Sequence, residues 1–385
     1  MKTAVLVAEV AVLVSGAIRA ETDADFDVAK FDARIAADLE QADTNGLQWI
    51  DALSIGLESK GFPVTKTPYG RLPPETFDRM PPGIRYMQAQ TTGHYLFFDT
   101  DSPVVAVEWT LVEKAKPDPF IPPQGKYGID IYCKVPGGDW RFAHGGRLSP
   151  PENPLNRTSA KVPAGRKSIL IYLPTRGMVT KMRVGVKAGS HILKAHHASG
   201  VTKPVVHYGT SIVHGGCSSR PGLCFTSVAA RRADVPYVNL GFSAAAKLEP
   251  EVAETVARAE ASLYIVDPSW NCSPKLVRER LAKFVGILHA AYPRTPILVC
   301  EGGEPSGSRR DTNDAILEVY TSMKAANDSL SAVLHYLPAK GLIQADGEST
   351  HDYCHPNDYG AQQMGRVFAA KIREILGLEK KEEVR

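Results

Sequence analysis

Apolar residues follow two different rhythms along the chain. Between about residue 46 and residue 190 they come in short runs cut by Gly and Pro, at 94–98, 104–111, 128–135, 168–173 and 181–186. Within Val105-Ala106-Val107-Glu108-Trp109-Thr110-Leu111 the large apolar side chains take alternate positions, which places them on one face of a strand. Several such strands with turn signals between them predict an antiparallel β-sandwich. The stretches 117–125 and 145–154, rich in Pro and Gly, read as long connections.

Near residues 188–203 the rhythm changes. Continuous apolar runs at 204–208, 237–240, 263–266 and 296–300 alternate with amphipathic segments at 221–233, 250–260, 274–291, 311–327 and 359–376. Strand and helix in strict alternation predict an α/β domain, a doubly wound, flavodoxin-like parallel sheet covered on both faces. Reactive groups in such sheets gather at the carboxyl ends of the strands, so those positions are where chemistry is expected. The resulting division is a leader at 1–20, a lead-in at 21–45 carrying one short helix over 33–41, a sandwich at 46–195 and an α/β domain at 200–378.

Composition refines this picture in three ways. With 385 residues, 43% hydrophobic and 23% charged, the chain can build two packed cores. A net charge of +3 without a basic run gives no footprint for nucleic acid and favours a weakly charged small-molecule or glycan substrate. Met1-Lys2 followed by the apolar stretch 4–18 has the layout of an export signal, pointing to a secreted or periplasmic protein; an attached N-terminal helix is the other reading. The run is short for a bilayer span, no later segment is longer, and no stable membrane insertion is expected. Cys133, Cys217, Cys224, Cys272, Cys300 and Cys354 show no zinc-type spacing, so neither metal nor cofactor is expected. Disulfides between Cys217 and Cys224 or between Cys272 and Cys354 stand beside the alternative of small buried hydrophobes.

Two sequence features carry chemistry. The run Val205-Val206-His207-Tyr208-Gly209-Thr210-Ser211 is a strand that breaks at Gly209 and presents a hydroxyl at once, with Gly215-Gly216 keeping the nearby backbone unobstructed. Alone, such a serine reads as a turn or cap residue. Far downstream, Asp352-Tyr353-Cys354-His355-Pro356 lets a carboxylate reach the ring N–H of a histidine three residues on, just before the last helix, which Asp358 is expected to cap. Ser243, His207, His214 and His351 compete for these roles, but none combines a strand-end position with a suitably spaced carboxylate, although His351 is adjacent to Asp352 and could help shape the loop; Cys217 and Cys272 are weaker candidate nucleophiles.

Together with Asp267-Pro268-Ser269-Trp270-Asn271 after a third strand, these blocks resemble the SGNH, or GDSL-type, esterase superfamily. Tyr69-Gly70-Arg71-Leu72-Pro73, Gly128-Ile129-Asp130-Ile131-Tyr132 and Ser218-Ser219-Arg220-Pro221-Gly222 resemble a bacterial subfamily that joins a G-x-D-L-Y sandwich to the catalytic domain. The resemblance implies Ser211 as nucleophile, His355 as general base and then acid, and Asp352 as the orienting carboxylate. It implies an oxyanion hole of the Ser211 N–H, the Ala244 N–H and the Asn271 side-chain amide, with Ala244 standing where the family places Gly. Gly241 and Arg220 are candidate substrate contacts, Arg220 having Asp234 as an alternative partner, and Asp130 reads either as a groove residue or as a turn cap. The implied activity is removal of small acyl groups, acetyl above all, from carbohydrates. A broader acyl-ester or lipid-type esterase is one alternative, and an inactive, carbohydrate-binding hydrolase fold is another.

Overall fold

The computed structural model describes residues 38–112, 118–146, 148–149, 153–326 and 328–379. The leader and most of the lead-in, including the start of the helix expected at 33–41, lie outside these residues; residues 39–41 are not helical. Among the described residues, nine antiparallel strands form the first domain: β1 (Leu47–Asp51), β2 (Tyr95–Thr100), β3 (Val104–Leu111), β4 (Asp130–Lys134), β5 (Arg141–Gly145), β6 (Leu155–Lys161), β7 (Lys167–Tyr172), β8 (Val179–Lys187) and β9 (Ile192–Lys194). They make two sheets, ordered β1-β8-β3-β6 and β5-β4-β7-β2-β9. Alternation decides what faces inward. Val105, Val107, Trp109 and Leu111 of β3 meet Leu96 and Phe98 of β2, Ile131 of β4 and Ile169 and Ile171 of β7 in one core.

The second sheet is covered on both sides. Its other face carries Tyr95, Phe97, Tyr132, Leu170 and Tyr172, all buried, and these lie against the α/β domain. The Tyr237 N–H donates to Tyr95 Oη at 3.3 Å, and Tyr172 Oη donates to the Ser227 carbonyl at 3.4 Å. Each large apolar side chain withdrawn from water here contributes about 1.5–3 kcal/mol, so the aromatic face holds the two domains together.

The α/β domain is a five-stranded parallel sheet of β10 (Val205–Gly209), β11 (Tyr237–Gly241), β12 (Leu263–Asp267), β13 (Ile297–Cys300) and β14 (Leu334–Leu337), in the order β11-β10-β12-β13-β14. That is the flavodoxin-like doubly wound order. Short helices over Ala52–Ile55, Pro82–Met87 and Pro123–Tyr127 are α1, α2 and α3; α4 (Phe225–Ala233), α5 (Pro250–Val256), α6 (Pro274–Ala291), α7 (Arg310–Ala326), α8 (Asp328–Val333) and α9 (Asp358–Ile375) belong to the α/β domain. Successive strand residues point to opposite faces: Val205 packs with Phe225, Ala229, Phe368 and Ile372 of α4 and α9, whereas Val206 and Tyr208 pack with Val252, Leu281, Phe284 and Ile316 of α5, α6 and α7.

Several expectations are corrected. Residues 221–233 are not one helix: a 3-10 turn over Pro221–Leu223 precedes α4, with Cys224 between them out of helical conformation. Helix α5 ends at Val256 rather than at 260. Asn357, not Asp358, caps α9, its side chain accepting the Gly360 N–H at 3.0 Å. All six cysteines are free, five of them buried, so neither suggested disulfide is present. The segment between α1 and β2 is shared: Tyr69 is buried in the sandwich core and Leu57 pairs with Leu96 of β2, whereas Phe62, Leu72, Met80, Ile84 and Met87 pack into the core of the α/β domain.

Candidate active site

The candidate nucleophile sits two residues past the end of β10, where strand-end chemistry is expected. After Thr210 the chain makes a tight turn in which the His214 N–H bonds the Thr210 carbonyl and the Gly216 N–H bonds the Ser211 carbonyl, each at 2.9 Å. Gly216 is needed for approach: a Cβ there would lie 2.9 Å from His355 Cδ2. The imidazole therefore packs directly on the nucleophile turn, and Ser211 Oγ lies 2.7 Å from His355 Nε2.

The histidine loop is built by its own carboxylate. Asp352 Oδ1 accepts the backbone N–H groups of Cys354 at 3.1 Å and His355 at 2.7 Å, and Oδ2 accepts His355 Nδ1–H at 2.9 Å. The ring proton is thereby assigned to Nδ1, leaving Nε2 as the acceptor that faces the serine. Tyr353 takes the left-handed conformation (φ 61°) that lets so short a loop fold back, and the His351 N–H closes it on the His355 carbonyl at 2.8 Å. Burial pushes the Asp352 carboxyl up, but the donors from His355 and Cys354 outweigh it and hold the group below its ordinary value.

The turn that follows β11, through Ser243 and Ala244, forms the opposite wall. Ala244 adopts φ 55°, the left-handed region that favours glycine, so the turn holds its shape at a cost in strain. The N–H groups of Ser211 and Ala244 donate to no described residue. Asn271 follows β12, and its Nδ2 donates to the Phe242 carbonyl at 3.3 Å, a long bond. Ser211, Ala244, Asn271, Asp352 and His355 all line one cleft of about 720 Å³. The arrangement can transfer a proton from Ser211 through His355 and offers uncommitted N–H donors beside the hydroxyl.

Arg220 and Gly241 are not among the cleft-lining residues. Arg220 Nη1 bonds Asp130 Oδ2 at 2.8 Å and Tyr132 Oη at 2.7 Å, and its guanidinium carbon lies 3.8 Å from the centre of the Phe142 ring. Its partner is Asp130, not Asp234. Asp130 does not line the groove; it joins the domains, also accepting the N–H of Gly222 in the 3-10 turn at 2.8 Å. Gly241 places its Cα against the nucleophile turn, where a Cβ would meet the His214 nitrogen at 2.3 Å.

The sandwich nevertheless reaches the cleft, through residues that sequence reasoning passed over. Phe120, Ile121, Lys126, Tyr127, Arg176 and Met178 line it from one side. Phe120 comes from a stretch read only as a connection. Among the described residues, one trio of metal-capable side chains, Asp352, Cys354 and His355, has its ligand atoms within 4.8 Å of one another. Two of its members already face each other through the 2.9 Å bond. No helix among the described residues is long and apolar enough to cross a membrane.

Comparison with known proteins agrees with this architecture. Residues 202–373 match the GDSL-like lipase/acylhydrolase family, and residues 47–192 match the GxDLY domain found at the N-terminus of SGNH-hydrolase-type esterases. The chain belongs to the SGNH/GDSL-type esterases, in the branch with an N-terminal GxDLY sandwich. Among solved structures it is similar to a Bacteroides ovatus protein described as a GDSL-like lipase, with 27% identity, TM-score 0.77, and coverage of 87% of this chain and 99% of that one. It is also similar to the salicylyl-acyltransferase SsfX3 of a tetracycline biosynthetic pathway (22%, TM-score 0.62, 89% and 93%). A family two carbohydrate esterase from Clostridium thermocellum, solved with cellohexaose, shares the fold (12%, TM-score 0.53, 74% and 93%). No curated protein matches the chain in sequence.

Proposed function

We propose that the protein is an exported serine ester hydrolase that removes acetyl groups from carbohydrates. One observation carries the reading: Ser211 Oγ lies 2.7 Å from a histidine nitrogen whose ring is held from behind by Asp352 at 2.9 Å. In this reading His355 Nε2 takes the Ser211 proton as Oγ attacks the acyl carbonyl, and returns it to the departing alkoxide. Asp352 keeps the tautomer and stabilises the imidazolium. The Ser211 and Ala244 N–H groups and Asn271 Nδ2 receive the charge that builds on the carbonyl oxygen, each preorganised donor contributing on the order of 3 kcal/mol. The reaction uses only these side chains and water.

Acetyl-sugar specificity draws support from the fold shared with a carbohydrate esterase and from the sandwich wall of the cleft. The apolar lining, with Phe120, Ile121, Tyr127 and Met178, favours a second reading in which longer or aromatic acyl groups are accepted. The deciding measurement is hydrolysis of acetylated sugars and of a graded series of acyl esters by wild type beside Ser211→Ala. Loss of several orders of magnitude in rate is expected; a variant that keeps most of the activity sends the nucleophile elsewhere.

A further inference from the structure

Arg176 lies in the turn between β7 and β8, on the sandwich, yet its side chain crosses into the catalytic domain. The turn is held firmly, since the N–H groups of Arg176 and Gly177 bond the Lys126 carbonyl at 3.0 and 2.9 Å and Thr175 Oγ1 bonds the Gly125 carbonyl at 2.9 Å. From there Nη1 reaches His214 Nδ1 at 2.6 Å and Ser243 Oγ at 2.7 Å, beside Ala244. Neither partner carries negative charge. Burial keeps His214 neutral and able to accept, and the neighbouring cations Arg176 and Arg71 act in the same direction. No described carboxylate lies within ion-pair distance of Arg176; Asp118, the acid on that wall of the cleft, pairs with Lys126 at 3.0 Å.

Comparison with Arg71 sharpens the point. Arg71 is buried and likewise has no carboxylate at ion-pair distance among the described residues, but its donors are spent on four backbone carbonyls, those of Met87, Gln90, Asn239 and Gly241. It pins the chain. Arg176 instead keeps Nε and Nη2 without any hydrogen-bond partner among the described residues, and it is half-buried in the wall of the cleft that holds Ser211 and His355. A guanidinium offers a planar pair of donors matched to a carboxylate. Holding such a charge out of bulk water without a counter-ion is costly, and a ligand that supplies the counter-charge removes that cost.

We propose that Arg176 is an anion-recognition residue and that the natural ester carries a carboxylate, either at the far end of the acyl group or on the sugar that bears it. This rests on the ester-hydrolase reading of the same cleft. The test compares kcat/KM within two matched pairs: 4-nitrophenyl hemiglutarate against 4-nitrophenyl valerate, and a monoacetylated methyl glucuronoside against the corresponding glucoside. Wild type is expected to favour the acidic member of one pair by roughly 10- to 100-fold, and the pair that shows it identifies which side of the ester bears the charge. Arg176→Gln is expected to erase the preference and Arg176→Lys to retain part of it. Equal rates within both pairs in wild type, or a loss in Arg176→Gln that is equal for acidic and neutral esters, overturns the proposal and leaves Arg176 as a support for Ser243. Inactivity of wild type toward all four esters counts against the hydrolase reading instead. Calorimetric binding of the acidic esters to Ser211→Ala, set against Ser211→Ala/Arg176→Gln, then reads the anion site without turnover: tighter binding with Arg176 present supports it and equal binding overturns it.

Discussion

Asp130 and Asp352 each face a nitrogen group across less than 3 Å, yet they answer opposite demands. Asp130 is fully shut off from solvent, sends one oxygen to Arg220 and the Gly222 N–H, and leaves Oδ1 without a partner. Burial dominates there and raises its carboxyl above the ordinary value despite the nearby arginines. Asp352 is one-third exposed, has both oxygens engaged, and is held below the ordinary value. A carboxylate that joins domains can tolerate imperfect solvation because the surrounding structure over-determines it. One that orients a histidine must, in the proposed reaction, keep its charge available at every turnover.

The sharpest way to break this contrast is Asp352→Asn, expected to lower acyl-ester kcat/KM on the order of 10³-fold while the unfolding midpoint moves little, because the imidazole loses its tautomer and its counter-charge. Asp130→Ala should do the reverse. Leaving Arg220 and the Gly222 N–H without their acceptor costs about 3 kcal/mol in denaturant unfolding, with the cleft chemistry intact in whatever fraction stays folded. A large direct loss of turnover in Asp130→Ala, at temperatures where it is fully folded, would return Asp130 to the groove.

Acid sharpens the same comparison by sign. Because the folded-state value of Asp352 lies below 3.8, its contribution is present above that pH and fades as pH falls through the lowered value, so the stability deficit of Asp352→Asn should shrink on acidification. Asp130 titrates above 3.8 in the folded protein, so the cost of its charge is relieved as pH falls through that raised value, and the deficit of Asp130→Ala should grow. Unfolding both variants beside wild type across the carboxylate range measures the two trends; parallel trends refute the contrast. The smallest effect concerns neither carboxylate but the opposite wall of the cleft: Ala244→Gly, relieving a left-handed alanine at φ 55°, should stabilise by about 1 kcal/mol with hydrolysis kept.

Legibility in the sequence followed the range of the interactions. Fully buried strands such as β10 and β12 were visible because both faces are apolar, and Asp352 with His355 was visible because three residues of chain bring them together. β5 and β6 were hidden by their mostly polar, partly exposed residues, and β14 by its shortness and the absence of a turn signal before it. β9 is shorter still, and β1, as long as β10, is only partly buried. Nothing local marks Asp130 as the partner of Arg220, since the pair forms only when one domain lies on the other. Arg176 carries no motif either; a lone arginine between two strands reads as surface until the fold turns it toward Ser243. The positive φ of Ala244 falls where the family places glycine, so the departure in residue type was legible while the backbone conformation itself was not.

The sandwich sheet that is covered on both sides has a consequence for how this architecture can vary. Since Tyr95, Tyr132 and Tyr172 are shielded by the hydrolase half, and the cleft takes Phe120, Tyr127 and Arg176 from the sandwich half, neither half is an interchangeable cartridge. Selectivity for new esters is then most cheaply reached by changing the sandwich loops that overhang Ser211, while the strands beneath them stay fixed by the need to keep three tyrosines dry.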